Sequence, residues 1–218
     1  MTKLEWDLTG ERLYETGIRN CALYHRDSTG AYPKGVAWNG ITGVTESPSG
    51  AEETALYADD IKYLSLRSVE ELGATIEAYM YPDEWKECDG SATPVAGVTV
   101  GQQTRKTFGL CYRTVLGNDV DYEDYGYKLH LLYGATASPS ERAYQTINDS
   151  PEAITFSWEL TTNPVKLEGY KPTSLLTIDS TKVDATKLAA LEEILYGSES
   201  AEARLPLPDE VITLLGGE

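Results

Sequence analysis

Few residues of this chain are suited to acid–base or nucleophilic chemistry, and their spacing does not favour it. His25 and His130 are the only two histidines. Cys21 precedes His25 by four residues, which on a helix would pair a thiolate with a base. The segment between them has the pattern of a strand, where the two side chains share a face but lie far apart. We interpret Cys21 as a core residue, His25 as a surface residue and His130 as a packing residue, because a catalytic histidine needs an orienting partner.

The motifs of common enzyme classes are missing from the sequence. The chain has no Gly-x-Ser-x-Gly elbow, no Gly-x-x-x-x-Gly-Lys phosphate loop and no Gly-x-Gly-x-x-Gly fingerprint. Cys-x-x-Cys and His-Glu-x-x-His are absent as well. The sequence therefore predicts no catalytic residue, no cofactor and no enzymatic activity.

Acidic side chains crowd residues 118–124, which read Asn-Asp-Val-Asp-Tyr-Glu-Asp. Alternating oxygen ligands resemble the start of a calcium loop, but the glycine and the distant glutamate of such a loop do not fall in register. We predict a solvated turn and no metal site, and leave open whether this run binds a cation.

Aromatic and acidic residues leave two further functions open. Four tryptophans could line a sugar groove, although spaced tryptophans are more often core and interface anchors; they are Trp6, Trp38, Trp85 and Trp158. With 35 acidic residues, a pair of carboxylates placed for glycoside hydrolysis is also conceivable. A carbohydrate-binding or receptor-binding module is therefore the alternative to a structural protein, and a hydrolase is a third hypothesis.

Charge and composition narrow the classes of partner. The net charge is −17, and no cluster of lysine and arginine offers the counterion release that a nucleic-acid grip requires. The same balance argues against anionic membranes. Three cysteines without close pairing indicate reduced thiols in a cytosolic compartment. The first residues lack the apolar core of a signal peptide, so we expect a protein that is soluble where it is made.

Strand patterns are stronger than helix patterns. Residues 74–81 alternate, with Ala74, Ile76, Ala78 and Met80 on one face. Residues 105–115, 126–134 and 153–161 alternate in the same way, and turn residues bound each run. The sequence therefore predicts a mainly β fold, a sandwich or a barrel.

One helix is expected at residues 184–196, where Asp184 can cap the start and Gly197 can end it. A short helical turn is expected after Pro82. We expect residues 42–60 to form a long loop or arm and residues 197–218 to form an extended C-terminal tail, all within a single domain spanning residues 1–218.

Segments that resemble a known family follow one another along nearly the whole chain. They are Cys21–Tyr24, Gly35–Glu52, Leu56–Tyr63, Ala74–Pro82, Cys88–Gly90, Phe108–Thr114 with Gly117–Asp119, Tyr127–Gly134, Ser138–Arg142, Thr146–Pro151 and Leu205–Glu210. Each segment alone is weak evidence of a resemblance, but the number of segments and their order along the chain make it strong. Together they resemble the major tail tube proteins of long-tailed phages that infect Gram-positive bacteria.

The resemblance implies a β-sandwich or small barrel of the tail-tube type with one flanking helix, related in fold to the inner tubes of contractile tails and type VI secretion. It implies rings of six copies that stack into a tube through which DNA is ejected; the number six rests on the resemblance alone. The implied partners are further copies of the chain, a tape-measure protein and tail terminator or distal tail proteins, with DNA only as cargo. The implied location is the virion tail, assembled in the host cytoplasm. Because the chain stops near Gly217, we expect no additional immunoglobulin-like domain.

Within this resemblance, residues 42–60 are the candidate arm that reaches another subunit. The candidate inter-subunit residues are Glu46, Ser47, Pro48, Ser49, Gly50 and Glu52. A mobile surface loop that contacts nothing is the alternative for this segment. The helix at 184–196 is expected to pack its leucines on the sandwich.

Overall fold

The computed structural model describes residues 3–147, 149 and 152–216, and within them the fold is mainly β with few helices. The strands are β1 Tyr14–His25, β2 Gly35–Ala37, β3 Ile41–Gly50, β4 Glu53–Ala58, β5 Ile61–Arg67, β6 Glu70–Ala78, β7 Ala92–Val95, β8 Val98–Val100, β9 Phe108–Asn118, β10 Tyr122–Ala137, β11 Phe156–Thr162 and β12 Leu175–Asp179. The helices are α1 Trp85–Cys88, α2 Ala185–Tyr196 and α3 Pro208–Gly216. The prediction of a mainly β fold is confirmed.

Eight strands form one antiparallel sheet in the order β2-β1-β9-β10-β11-β6-β3, with β12 paired to β10. The two ends of this order, β2 and β3, are joined by residues 38–40 alone, so the sheet must curl until its ends meet. Backbone bonds hold the junction: Trp38 N donates to Cys21 O at 2.9 Å, and Tyr79 N donates to Gly40 O at 2.8 Å. Curling of this kind produces the closed core that the sequence predicted for a sandwich or barrel.

The long strand β10 changes partner along its length. Residues 128–132 pair with β12, and residues 135–137 pair with β11. Gly134 lies between the two stretches with a φ of +63°, a region that favours glycine. Its N–H donates to the Tyr32 hydroxyl at 2.9 Å, and its carbonyl accepts from Asn163 N at 2.9 Å. This glycine therefore lets one strand serve two parts of the sheet.

Two apolar clusters lie on the two faces of the sheet. The inner cluster contains Trp38, Trp85 and Trp158 in mutual contact, with ring centroids 4.5–5.8 Å apart. The outer cluster joins Leu129, Leu131 and Tyr133 of β10 to helices α2 and α3. Each fully buried leucine stabilises the fold by about 1.5–3 kcal/mol through removal of apolar surface from water.

Helix α2 is the helix that the sequence predicted. The Asp184 carboxylate accepts from Thr186 N and Lys187 N at 3.0 and 3.1 Å, which caps the first turn. Leu188, Leu191 and Leu195 are buried, and Gly197 ends the helix with a φ of +82°. The predicted helical turn after Pro82 is α1.

A second flanking helix corrects the prediction that only one helix flanks the sheet. Residues 197–218 were expected to form an extended tail, which is wrong for Pro208–Gly216 because they form α3. Proline at the first helical position and the acids Asp209 and Glu210 in the first turn are favourable helix-start residues. Val211 of α3 is buried in the outer cluster. Gly217 lies outside the described residues, as does part of the Thr146–Pro151 segment.

Residues 42–60 were expected to form a loop, which is wrong as secondary structure because most of them lie in β3 and β4. The paired residues supply backbone hydrogen bonds that a loop would leave to water. The four alternating segments that were predicted as strands correspond to β6, β9, β10 and β11, although the ends of these strands differ from the predicted ends. None of the described helices is long and apolar enough to cross a membrane.

The partner change in β10 makes Gly134 sensitive to substitution. In Gly134→Ala a Cβ would overlap the Asn163 carbonyl oxygen, whereas a Cβ at Gly97, also at positive φ, meets nothing within 4 Å. We expect Gly134→Ala to lower the free energy of unfolding by roughly 3 kcal/mol and Gly97→Ala by about 1 kcal/mol. Urea denaturation of both variants measures the difference, and equal losses would show that the crowding at Gly134 has no effect.

Candidate assembly surface

A two-stranded ribbon continues beyond the sheet and forms an arm, defined here as residues 47–72. Gly73 is the first residue of β6 that pairs with β11, so the part of β6 before it, residues 70–72, pairs with β3 alone. Ser68 N donates to Glu52 O at 3.0 Å, which links this pair of strands to the β4–β5 hairpin. At about 3.3 Å per residue, residues 47–58 extend up to about 40 Å.

The hairpin at the end of the arm closes through a two-residue turn. Asp59 and Asp60 both have positive φ, 51° and 62°. Two residues in this conformation match the right-handed twist of the flanking strands, and aspartate tolerates it better than most side chains. The two strands of the arm therefore stay paired up to the tip, with one register shift between Leu56 and Tyr57.

Most of the predicted inter-subunit residues lie on this arm. Ser47, Pro48, Ser49 and Gly50 are exposed and pair with residues 70–73 of β6. Pro48 is tolerated there because β3 is an edge strand. Glu52 lies at the junction to β4, where its N–H donates to the Ser68 hydroxyl at 2.9 Å.

Apolar side chains cover one face of the hairpin. Leu56 lies opposite Leu64, and Thr54 lies opposite Leu66, so the three leucines share a face. Tyr57 and Tyr63 are 72% and 70% exposed. All the exposed large apolar residues of the arm are Leu56, Tyr57, Ile61, Tyr63, Leu64, Leu66 and Val69. An isolated two-stranded ribbon is at best marginally stable, and this one has no core of its own.

Glu46 differs from the other candidate residues because its side chain contacts the body of the protein. Its carboxylate accepts a hydrogen bond from the Tyr112 hydroxyl and lies 3.5 Å from His130 Nδ1. On the other side of the imidazole, Glu15 Oε1 lies 3.5 Å from His130 Nε2, and Glu15 Oε2 accepts from Lys128 Nζ at 2.6 Å. These five residues form the base cluster, which joins β1, β3, β9 and β10 where the arm leaves the sheet.

Burial and hydrogen bonds shift the pKa values of three residues of the base cluster. The His130 ring stacks on Tyr112 with centroids 4.7 Å apart, and burial lowers its pKa although Glu46 and Glu15 oppose the change. Burial and the bond to Glu46 raise the pKa of Tyr112. Burial alone would raise the pKa of Glu15, but the hydrogen bonds from Lys128 and the Thr114 hydroxyl outweigh burial and lower this pKa. His130 therefore packs as a neutral ring between two carboxylates.

Cys21 and His25 do not form a catalytic pair. Both lie in β1, as the strand pattern predicted, and Cys21 is buried. Burial raises the pKa of Cys21 to about 12, so it is a poor nucleophile at neutral pH. The His25 imidazole contacts the Glu84 carbonyl at 3.0 Å and Glu87 at 3.6 Å. Cys88 and Cys111 are also free and buried.

The acidic run at 118–124 spans the end of β9, a turn at residues 119–121 and the first residues of β10. Asn118 Oδ1 accepts from Val120 N at 3.0 Å, and Asn118 Nδ2 donates to Asp121 Oδ2 at 3.1 Å. Asp119 Oδ1 accepts from Gly10 N at 2.9 Å. In the part of the chain that the structure describes, no three His, Cys, Asp or Glu residues are placed to hold a metal ion.

The tryptophans are divided between the interior and the surface. Trp38, Trp85 and Trp158 form the centre of the inner cluster, where no ligand can stack on them. Trp6 alone is exposed, and it lies on the N-terminal segment away from the other three. This arrangement fits the interpretation of three of them as core residues.

The second strand of the arm, β5 at residues 61–67, was not predicted from the sequence. The alternation of Leu64 and Leu66 around Ser65 is a weak strand pattern of three residues. The Asp59-Asp60 turn lacks the glycine that usually marks such hairpins. The cross-strand pairing is the feature that only the structure supplies.

Comparison of the chain with protein-family models and with curated proteins finds no match.

The neutral His130 predicts a pH dependence of stability. The unfolded chain takes up this proton near pH 6.5, whereas the folded protein takes it up at a lower pH, so the unfolded state binds more protons between the two values. We expect the free energy of unfolding to fall as the pH is lowered from 7.5 to 5.5, and to fall less in His130→Gln. Denaturant titrations at several pH values measure both slopes, and identical slopes would contradict the burial of a neutral ring.

Proposed function

We propose that the protein is a structural subunit that self-assembles into the tube of a phage tail, as stacked rings through which DNA passes. The observation that carries the proposal is the arm at residues 47–72. The arm is a projecting ribbon with seven large apolar side chains exposed to water. Covering them with another surface lowers the free energy of the protein, so the arm favours association. The resemblance of the sequence to major tail tube proteins favours a second copy of the chain as that surface.

The edges of the main sheet support the same proposal. The residues of β1 that pair with β2 are Ala22–Tyr24 only, so its first part borders no strand on that side in the described chain. β3 is the other end of the sheet order and lies beside β1 where the sheet curls, but no strand of the described chain pairs with its outer side. Unpaired strand edges promote association unless they are covered, and a contact between two different surfaces of one chain repeats into a ring or a filament.

The charge of the chain suits a conduit for DNA. The chain has a net charge of −17 and no cluster of lysine and arginine. DNA passing a wall of this composition would release few counterions and would therefore bind to it weakly. DNA is therefore cargo in this proposal, and the six-fold ring follows from the resemblance alone.

Shortening the arm tests the proposal directly. We expect a variant in which Asn-Gly replaces residues 53–67 to remain folded, because the hairpin lies outside both apolar clusters, and to lose tube formation. Glu52 and Ser68 already face each other, so a two-residue turn can join them. Negative-stain microscopy and sedimentation of the variant and the wild-type protein measure the loss. Tubes of normal length from the shortened protein, or compact particles that bind cell-wall sugars from the wild type, would contradict the proposal.

Point substitutions test the apolar contact without altering the backbone. We expect Tyr57→Ser combined with Tyr63→Ser to raise the concentration needed for assembly at least about tenfold, since each buried tyrosine at an interface contributes about 1–2 kcal/mol. Tyr170→Ser is the matched control, because Tyr170 is 73% exposed but lies outside the arm. Light scattering against protein concentration measures the thresholds, and an equal change in the control would place the contact elsewhere.

A further inference from the structure

The N-terminal segment carries an unused strand pattern. Leu4, Trp6 and Leu8 alternate with Glu5 and Asp7, and Leu4 and Trp6 are 73% and 75% exposed. Alternation of apolar and acidic residues is typical of a strand with one buried face. Residues 3–13 nevertheless belong to no strand in the described structure.

Among the described residues, the segment is hydrogen-bonded to the body of the protein at Gly10 alone. Gly10 N donates to Asp119 Oδ1 at 2.9 Å, and Asn118 Nδ2 donates to Gly10 O at 3.2 Å. Between this attachment and Leu4 the chain bends at Asp7, whose φ of 59° is unusual for a residue with a side chain. The apolar residues therefore lie on a tethered segment that does not pack.

A groove with the complementary shape borders strand β12. β12 pairs with β10 on one side, and no strand pairs with its other side among the described residues. A groove of about 360 Å³ runs there between β12 and α3, and the four consecutive residues 176–179 line it. Consecutive residues of a strand point to opposite faces, so the groove follows the edge of the strand and not one face. Its apolar walls are Leu176, Ile178, Val183, Val211, Ile212 and Leu215.

The segment of the same chain cannot fill this groove. The segment is attached at Asn118, near the end of β9. The near end of β12 lies beside Lys128, which pairs with Thr114 of β9. Thr114 is four residues, or about 13 Å, along β9 from Asn118. Crossing from β9 to β12 adds two strand spacings of about 4.8 Å. Leu8 is two residues from Gly10 and reaches at most about 7 Å. Leu4 is six residues from Gly10 and can approach the near end of β12, but Leu8 cannot, so only another copy can place Leu4, Trp6 and Leu8 in the groove together.

We propose that residues 4–8 of a second copy add a strand to the free edge of β12 and place Leu4, Trp6 and Leu8 in the groove against α3. This inference rests on the proposed self-association of the chain but concerns a contact separate from the arm. Backbone hydrogen bonds to β12 fix the added strand, and the apolar side chains fill the groove, as in other strand-addition complexes.

The backbone conformation of the segment suits this contact. Charge is neutral towards it, because Lys182 and Asp179 both line the groove and form an ion pair at 3.5 Å. Straightening of the segment returns Asp7 from a positive φ to the extended region that its side chain prefers.

A peptide in trans tests the contact apart from tube formation. The receptor is the full chain with Leu4, Trp6 and Leu8 replaced by Ser, so that its own segments do not compete. We expect a fluorescently labelled peptide of residues 3–13 to bind it saturably by anisotropy, and Ile212→Lys in the groove to weaken binding at least tenfold. Ile147→Lys is the matched control, since Ile147 is exposed outside the groove. Hydrogen exchange of residues 175–179 should slow when the peptide binds.

The outcomes separate this inference from the proposed function. Absence of saturable binding, or equal weakening by Ile212→Lys and Ile147→Lys, would overturn the strand addition even if the wild-type protein forms tubes. Saturable binding that depends on Ile212, in a protein that forms no tubes, would support the strand addition and contradict the tail-tube proposal.

Discussion

Burial of β9 and β10 on both faces is the constraint on which the rest of the structure depends. Phe108, Leu110 and Leu132 lie in the inner cluster, while Cys111 and Leu131 lie in the outer cluster. Two strands of this kind need a layer on each side. The curled part of the sheet supplies one layer, and helices α2 and α3 supply the other. Strands β2 and β3 end the sheet order and β12 pairs with β10 alone, so these three strands have an edge that no strand of the described chain covers.

The alternating segments of the sequence predicted the central part of this fold because their periodicity reports directly which face is buried. Ala74, Ile76 and Ala78 have the predicted face in the core, and Leu188, Leu191 and Leu195 form the predicted helix stripe. Met80 was predicted on the same face as Ala78, which is wrong because β6 ends at Ala78 and Met80 is 64% exposed. Arm residues such as Leu64 escaped the prediction because they are apolar yet exposed, so no burial pattern marks them. Helix α3 escaped because its nine residues are too few for a clear helical period, although Pro208 and the acids after it are start signals.

The candidate surface was predicted in part. Ser47, Pro48, Ser49, Gly50 and Glu52 were identified through a resemblance that expects an arm there, and the structure places them on a projecting ribbon. The inward contact of Glu46 with Tyr112 and His130 depends on strands far apart in the sequence. Side-chain clusters of this kind arise from tertiary pairing, which no local pattern encodes. The base cluster therefore emerged only from the geometry.

The pairing of β6 with β11 has a consequence for the order in which the chain folds. Residues 73–78 meet residues 156–161, a separation of about eighty residues, while the strands of the arm meet neighbours along the chain. Local hairpins form in microseconds, and sheets built from distant strands close far more slowly. The strands of the arm can therefore meet before β6 and β11 do, although the ribbon is at best marginally stable until the body forms. The acids Asp59, Asp60, Glu70 and Glu71 of the arm then act as gatekeepers, since charge on an exposed strand delays premature pairing between unfinished chains.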